Sequence, residues 1–203
     1  MNLPNKLTVS RLILTAFFLV ALLWEFPEHG HEGAHWHFTV ALLFFVAASL
    51  TDLFDGIIAR RQNLITDFGK LMDPLADKVL ICSAFIAFIE LDWMPAWMVI
   101  LIVARELAIT GLRLLAASKN LVLAAERQGK NKTISQITAI IALLVTNSHD
   151  DWGIVGQLFA FEIVGHACAW WVAEITKWVA VVLTALSGFL YLWKNREVYL
   201  NDC

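Results

Sequence analysis

Charge is scarce in this 203-residue chain: Asp, Glu, Lys and Arg make up 16 % of it, against 59 % apolar residues. An ordinary soluble domain carries about a quarter charged residues, so that class is excluded first. The net charge of −3 gives no basic footprint and does not suggest nucleic acid, so no nucleic-acid partner is expected. Cysteine is also rare. Cys82, Cys168 and Cys203 are odd in number and scattered, which leaves neither a disulfide framework nor a metal-ligand spacing. With 4 prolines and 10 glycines there is no Pro/Gly-rich linker, and no repeat or low-complexity tract breaks the chain. One domain over residues 1–203 is the simplest division.

What is present is hydrocarbon. About 20 apolar residues span a bilayer as a helix, and six runs approach that length: 7–24, 37–60, 72–91, 94–117, 132–148 and 171–193. In the first, Lys6 and Arg11 precede LILTAFFLVALLW, which leads into EFPEHGHEG with no small-x-small cleavage site, so it reads as a retained helix rather than a leader. The connecting segments divide by charge. Lys6, Arg11, Arg60, Arg61, Lys70, Lys78, Arg113, Lys119, Arg127, Lys130, Lys132, Lys194 and Arg196 lie on one side, and of the 15 basic residues only Arg105 and Lys177 fall elsewhere. The opposite segments, EFPEHGHEGAHWH, ELDWMP and HDDWG, have no Lys or Arg. The positive-inside rule then places both termini in the cytoplasm, in agreement with an even number of spans. Trp24, Trp36, Trp93, Trp97, Trp152, Trp170 and Trp171 flank the outer segments, where amphipathic rings prefer the headgroup layer. The expected fold is an all-α membrane protein, six transmembrane helices in one bundle.

Against that background the stretch TDLFDGIIARRQNLITDFGKLMDPLADK, Thr51 to Lys78, is anomalous, because charge near hydrocarbon is costly and is usually kept for function. Asp52 lies 15 residues beyond His37, about 22 Å along a helix at roughly 1.5 Å per residue, which is near the inner headgroup boundary. Asp73 and Asp77 open the next, returning span at a similar depth. Asp52 and Asp55 are i, i+3 and Asp73 and Asp77 are i, i+4, so each pair shares a helix face. Four carboxylates brought together need cations to stay ionised, and oxygen-only ligands suit hard ions such as Mg²⁺ or Mn²⁺. Two such ions roughly 3.5–4 Å apart are a known device for phosphoryl displacement. Gly56 and Ala59 leave the helix surface bare beside the acids, Arg60 supplies a planar fork for phosphate, and Gly69 permits a tight turn before the third helix. Residue types and spacing alone also admit an ion-relay carboxylate cluster of the transporter kind, or a structural pairing of helices.

The full pattern is more specific. Asp52-x-x-Asp55-Gly56-x-x-Ala59-Arg60, eight residues, then Gly69-x-x-x-Asp73-x-x-x-Asp77 resembles the signature of the CDP-alcohol phosphotransferase family at every fixed position and both spacings. LPNKLTVSR near the start, AREL at 104–107, GLR at 111–113 and GKNKT at 129–133 resemble the phosphatidylglycerophosphate synthase branch. The resemblance implies a multi-pass enzyme of the cell inner membrane, usually a homodimer, with a site for two divalent ions facing the cytoplasm. It implies transfer of a phosphatidyl group from CDP-diacylglycerol to glycerol 3-phosphate, with CMP released. Carried over position by position, it implies Asp52, Asp55, Asp73 and Asp77 as metal ligands, with Asp77 also the general base. Asp52, Gly56, Ala59, Arg60 and Gly69 are implied as the cradle of the CDP moiety. Cardiolipin, inositol-phosphate and serine branches share this motif, so the acceptor stays open on it.

An acceptor with its own phosphate needs cations, and Arg113, Lys130 and Lys132 cluster at the same inner boundary. Arg105 is counted with them as a ligand of the acceptor phosphate; about 16 Å into its span by the same rise, it is expected to face the bundle interior and to pair with Glu106 or a site carboxylate. Lys78 is expected to reach toward lipid phosphates. The outer histidines His29, His31, His35 and His37 have spacings a transition metal accepts but lie across the membrane from the aspartates, and read as a polar loop. Residues 149–170 are longer than the family pattern needs and hold an apolar patch, which reads as interfacial or re-entrant.

Overall fold

The structure is a computed structural model and describes residues 3–24, 36–62, 67–118, 121, 127–163, 165–196 and 198. Within these, the side chains of 3–7, 52–62, 67–75, 77, 118 and 127–130 fall outside the description. Six long helices carry the chain: α1 (Leu3–Leu23), α2 (Trp36–Gln62), α3 (Asp67–Glu90), α4 (Ala96–Ser118), α5 (Arg127–Ser148) and α7 (Cys168–Lys194). They cover the six apolar runs read from the sequence, with every end within five residues of the expected one. Between α5 and α7 come a 3-10 turn (His149–Trp152), a single-turn helix α6 (Ile154–Gln157), and a ribbon of β1 (Glu162–Ile163) with β2 (His166–Ala167). That ribbon is the one departure from an all-helical fold among the described residues.

Each long helix buries one stripe at helical spacing, and the stripe changes character along its length. On α1 it runs Thr8, Arg11, Thr15, Phe18, Leu22, and on α5 it runs Lys132, Gln136, Ala139, Ile140, Leu143, Leu144. The polar members lie at one end of the bundle, where α1 and α5 begin and α4 and α7 finish. The other end is filled by Phe18, Phe45, Phe85, Phe88, Met94, Met98, Ile102 and Leu144. Phe18 and Phe45 meet across α1 and α2 with ring centroids 5.5 Å apart, while Ala41 and Ala48 on α2 let the backbones approach closely. The helices close a ring in the order α1, α2, α5, α7, α4, α3, with α3 also touching α5 across it.

The outward faces are apolar as well. Ile100, Leu107 and Leu114 on α4 and Ile175, Leu186 and Phe189 on α7 are exposed, while the charged Glu106, Lys132 and Lys177 are buried. Charge inside and aliphatics outside is the arrangement that lipid favours. Among the described residues, α7 is long and apolar enough to cross a membrane by length and composition, and Thr8–Leu23 and Trp36–Thr51 are shorter apolar helices.

The tight α3–α4 turn uses Asp92 at φ 56°, a left-handed conformation that Asp tolerates better than most residues. The segment after α5 is tied down at three points. Trp152 Nε1 donates to Thr39 Oγ1 at 2.9 Å, Thr146 Oγ1 to the Ala169 carbonyl at 2.9 Å, and Trp171 Nε1 to the Ile163 carbonyl at 2.8 Å. It still presents Ile154, Val155, Leu158 and Phe161 outward, which is the apolar patch noticed in the sequence.

Candidate active site

Residues 52–60 lie on α2 and residues 69–77 on α3, two helices in contact. The backbone therefore keeps Asp52 and Asp55 one turn apart on α2, and Asp73 and Asp77 one turn apart on α3, as their spacing requires. The side chains of Asp52, Asp55, Gly56, Ala59, Arg60, Gly69, Asp73 and Asp77, and of Lys130 on the first turn of α5, lie outside the described ones. Among the described residues no group of three or more His, Cys, Asp or Glu stands together. The donor set on α2 and α3 is carboxylate only, and in chemistry it fits hard divalent ions. Of the outer histidines, His37 opens α2 and is described, while His29, His31 and His35 fall outside.

Arg105, Arg113 and Lys132, three of the four cations expected at the acceptor, are described. Glu106 organises two of them. It sits mid-helix on α4 at 6 % exposure, and its Oε1 accepts from Lys132 Nζ on α5 and from an Arg105 Nη at 3.1 Å. The expectation that Arg105 faces the interior and pairs with Glu106 is met. The other Arg105 Nη donates to Ser187 Oγ on α7 at 3.3 Å. Gly188 makes that reach possible, since a Cβ there would stand 2.6 Å from Arg105 Cγ. Ser187 Oγ in turn donates to the Thr184 carbonyl at 3.1 Å, and Gln136 Nε2 on α5 to Thr184 Oγ1 at 3.1 Å. The result is a polar seam joining α4, α5 and α7.

Two buried atoms of that seam, Arg105 Nε and Gln136 Oε1, have no hydrogen-bond partner among the described residues. Native proteins pair nearly all such atoms, so their position marks the seam as a place suited to polar ligands. Arg113, two turns beyond Arg105, is exposed. Its Nε donates to the buried Tyr191 hydroxyl at 3.3 Å, and its guanidinium lies over the same ring, 5.6 Å from the centroid. Arg113 is also close enough to Arg105 for the two charges to be felt. Lys78, on α3 beside Asp77, is half-buried and within electrostatic reach of Glu106.

Sequence reasoning misses four members of this seam, Gln136, Thr184, Ser187 and Tyr191. Apart from the seam, Arg11, expected as a cation of the inner segments, is 1 % exposed on α1. The available signal was spacing: Lys132 and Gln136 are i, i+4, and Thr184, Ser187 and Tyr191 are i, i+3, i+7. Each set forms a polar stripe on an otherwise apolar helix. Lys177, the other cation away from the inner boundary, is buried and pairs with Glu174 at 2.6 Å.

Comparison with known proteins bears on the whole arrangement. The family profile described as CDP-alcohol phosphatidyltransferase matches residues 1–186. The chain is 42 % identical over 200 residues to a CDP-diacylglycerol–glycerol-3-phosphate 3-phosphatidyltransferase of Bacillus subtilis, covering 97 % of this chain and 96 % of the relative. It is 35 % identical over 198 residues to the protein of the same name from Rickettsia felis, covering 98 % and 97 %. A third of that name, from Cereibacter sphaeroides, is 30 % identical over 224 aligned positions, covering 99 % and 98 %.

Proposed function

The chain belongs to the CDP-alcohol phosphatidyltransferase family, and from that premise we propose that it transfers the phosphatidyl group from CDP-diacylglycerol to glycerol 3-phosphate. The products are phosphatidylglycerophosphate and CMP, and the reaction is a step of phospholipid synthesis. The observation that carries the choice of acceptor is the end-to-end 42 % identity with the Bacillus subtilis phosphatidyltransferase.

In this reading Asp52, Asp55, Asp73 and Asp77 hold two Mg²⁺ or Mn²⁺ ions. Bound there, the ions offset the charge of the pyrophosphate and of the departing CMP. Asp52, Gly56, Ala59, Arg60 and Gly69 cradle the CDP moiety. Small residues at 56 and 59 let it approach the helix surface, and Arg60 pairs with its phosphate. Asp77 takes the proton from the acceptor hydroxyl as that oxygen bonds to the lipid-bearing phosphorus and the bond from phosphorus to CMP breaks. The acceptor's own phosphate is held by Arg113, Lys130, Lys132 and Arg105, three of which meet Glu106 or Tyr191 as described. All six long helices span the membrane, both termini are cytoplasmic, and the site opens to the cytoplasm at the level of the lipid phosphates. Two copies pair as a homodimer in the inner membrane.

The test is CMP release by purified protein given CDP-diacylglycerol, Mg²⁺ or Mn²⁺, and a panel of acceptors. Release with glycerol 3-phosphate is expected. Release with inositol phosphate, serine or phosphatidylglycerol instead moves the chain to a sister activity, and no release with any acceptor ends the enzymatic reading.

A further inference from the structure

We infer that Glu106 is a positioning residue for the acceptor phosphate, holding Lys132 and Arg105 together before the acceptor arrives. The inference rests on the reading of those two cations as phosphate ligands and deepens it. Lys132 and Glu106 come from different helices, 26 positions apart in the chain, and their side chains are 6 % and 7 % exposed. Arg105 meets the same oxygen, Oε1, that Lys132 meets. One carboxylate oxygen therefore collects a cation from α5 and another from α4.

Two cations this close and this far from water repel each other. Without a shared anion they separate, and the geometry that receives a phosphate is lost before any phosphate is present. With Glu106 between them the trio keeps one net positive charge, so it is held together and still attracts a dianion. That is preorganisation: the ordering cost is met in folding rather than in binding. The surroundings support a clamp over a simple structural ion pair, which apolar residues replace at little cost. Arg105 extends its second Nη to Ser187 on α7, across the space that Gly188 leaves clear. Its Nε is buried and unpaired among the described residues. Glu106 thus sets the distance between α4, α5 and α7 around the place where the acceptor phosphate is read to sit.

The experiment is steady-state CMP release over both substrates for wild type, Glu106→Gln, Glu106→Asp, Lys132→Met and the double variant Glu106→Gln/Lys132→Met. Glu106→Gln keeps the shape and removes the charge. It should raise the KM for glycerol 3-phosphate about tenfold while the KM for CDP-diacylglycerol stays within about twofold and kcat within about threefold. Glu106→Asp keeps the charge one methylene short and should fall between. Because Glu106 acts in part through Lys132, the double variant should be less impaired than the product of the two single effects. An unchanged acceptor KM, a common change in kcat and both KM values, or full additivity overturns the inference. If Glu106→Gln yields no folded enzyme, Glu106→Asp decides: a raised acceptor KM with an unmoved donor KM supports it, and an unmoved acceptor KM overturns it. Wild-type turnover with glycerol 3-phosphate separates the two levels. Its absence sinks the functional reading and this inference together, whereas turnover with an unmoved acceptor KM in the variants sinks the inference only.

Discussion

Replacing Gly188 with alanine should destabilise the protein, while the same change at Gly111 should stabilise it. Both glycines lie inside long helices, α7 and α4, where alanine is intrinsically favoured by about 1 kcal/mol. At Gly111 an added Cβ meets nothing within 4 Å among the described residues, so that gain stands. At Gly188 the Cβ would lie 2.6 Å from Arg105 Cγ, 3.6 Å from its Cβ and 3.7 Å from its Nε. Optimal carbon contacts are about 3.5–4.0 Å, so the first of these is short by about 1 Å. Cγ is too near the backbone to step aside unless Arg105 changes rotamer, and that swings the guanidinium away from Glu106 and Ser187. Keeping the contacts costs overpacking strain of about 1–3 kcal/mol. Giving them up costs a similar amount in charged hydrogen bonds, about 1.5–3 kcal/mol. Only one of these costs is incurred, and the helix-propensity gain offsets part of it, leaving a net loss of up to roughly 2 kcal/mol. The assay heats detergent-solubilised protein in steps and measures the monodisperse fraction by size-exclusion chromatography, alongside the acceptor KM. Gly188→Ala should lose its folded fraction at lower temperature and raise the acceptor KM, and Gly111→Ala should do neither. A Gly188→Ala protein as stable as wild type with an unchanged acceptor KM would refute the packing argument. So would the two substitutions moving stability in the same direction.

Asp77→Asn should abolish CMP release while CDP affinity stays within about threefold, because one carboxylate oxygen becomes an amide but the donor cradle keeps its other groups; residual turnover near wild type would remove Asp77 from the base role. Arg113→Ala should raise the acceptor KM about tenfold with little change for the donor. Tyr191→Phe removes the 3.3 Å bond but keeps the ring beneath the guanidinium, so its effect on the same KM should be about two- to threefold; equal effects of the two changes would show that Arg113 is placed by the hydroxyl alone. Trp152→Phe deletes the 2.9 Å tie to Thr39 and should cost about 1 kcal/mol, read as earlier loss of monodisperse protein on heating with both KM values unmoved.

What could be read along the chain is what repeats locally. The positions of the six long helices followed from apolar run lengths, because a long unbroken apolar segment is itself a local signal. The aspartate motif was legible for a related reason. Its fixed positions fall within residues 52–77, at helical spacings that state which positions share a face. The ends of α3 and α5 were less legible, both starting five residues earlier than expected, since their first turns are polar and carry no apolar signal. Periodicity could not say which helix a polar stripe would meet. Lys132 with Glu106, Arg113 with Tyr191, and Arg105 with Ser187 are 26, 78 and 82 positions apart, and only the ring order of the bundle brings them together. Arg11 shows the same limit: its charge and place near the N-terminus suggested a loop cation, whereas packing of α1 against α2 and α3 buries it. Run length and spacing thus set the helices and the local motif, because both depend on neighbours within a few turns. The cation clamp was decided by tertiary packing alone, because its partners meet only when small residues such as Gly188 let one helix's side chain lie across another.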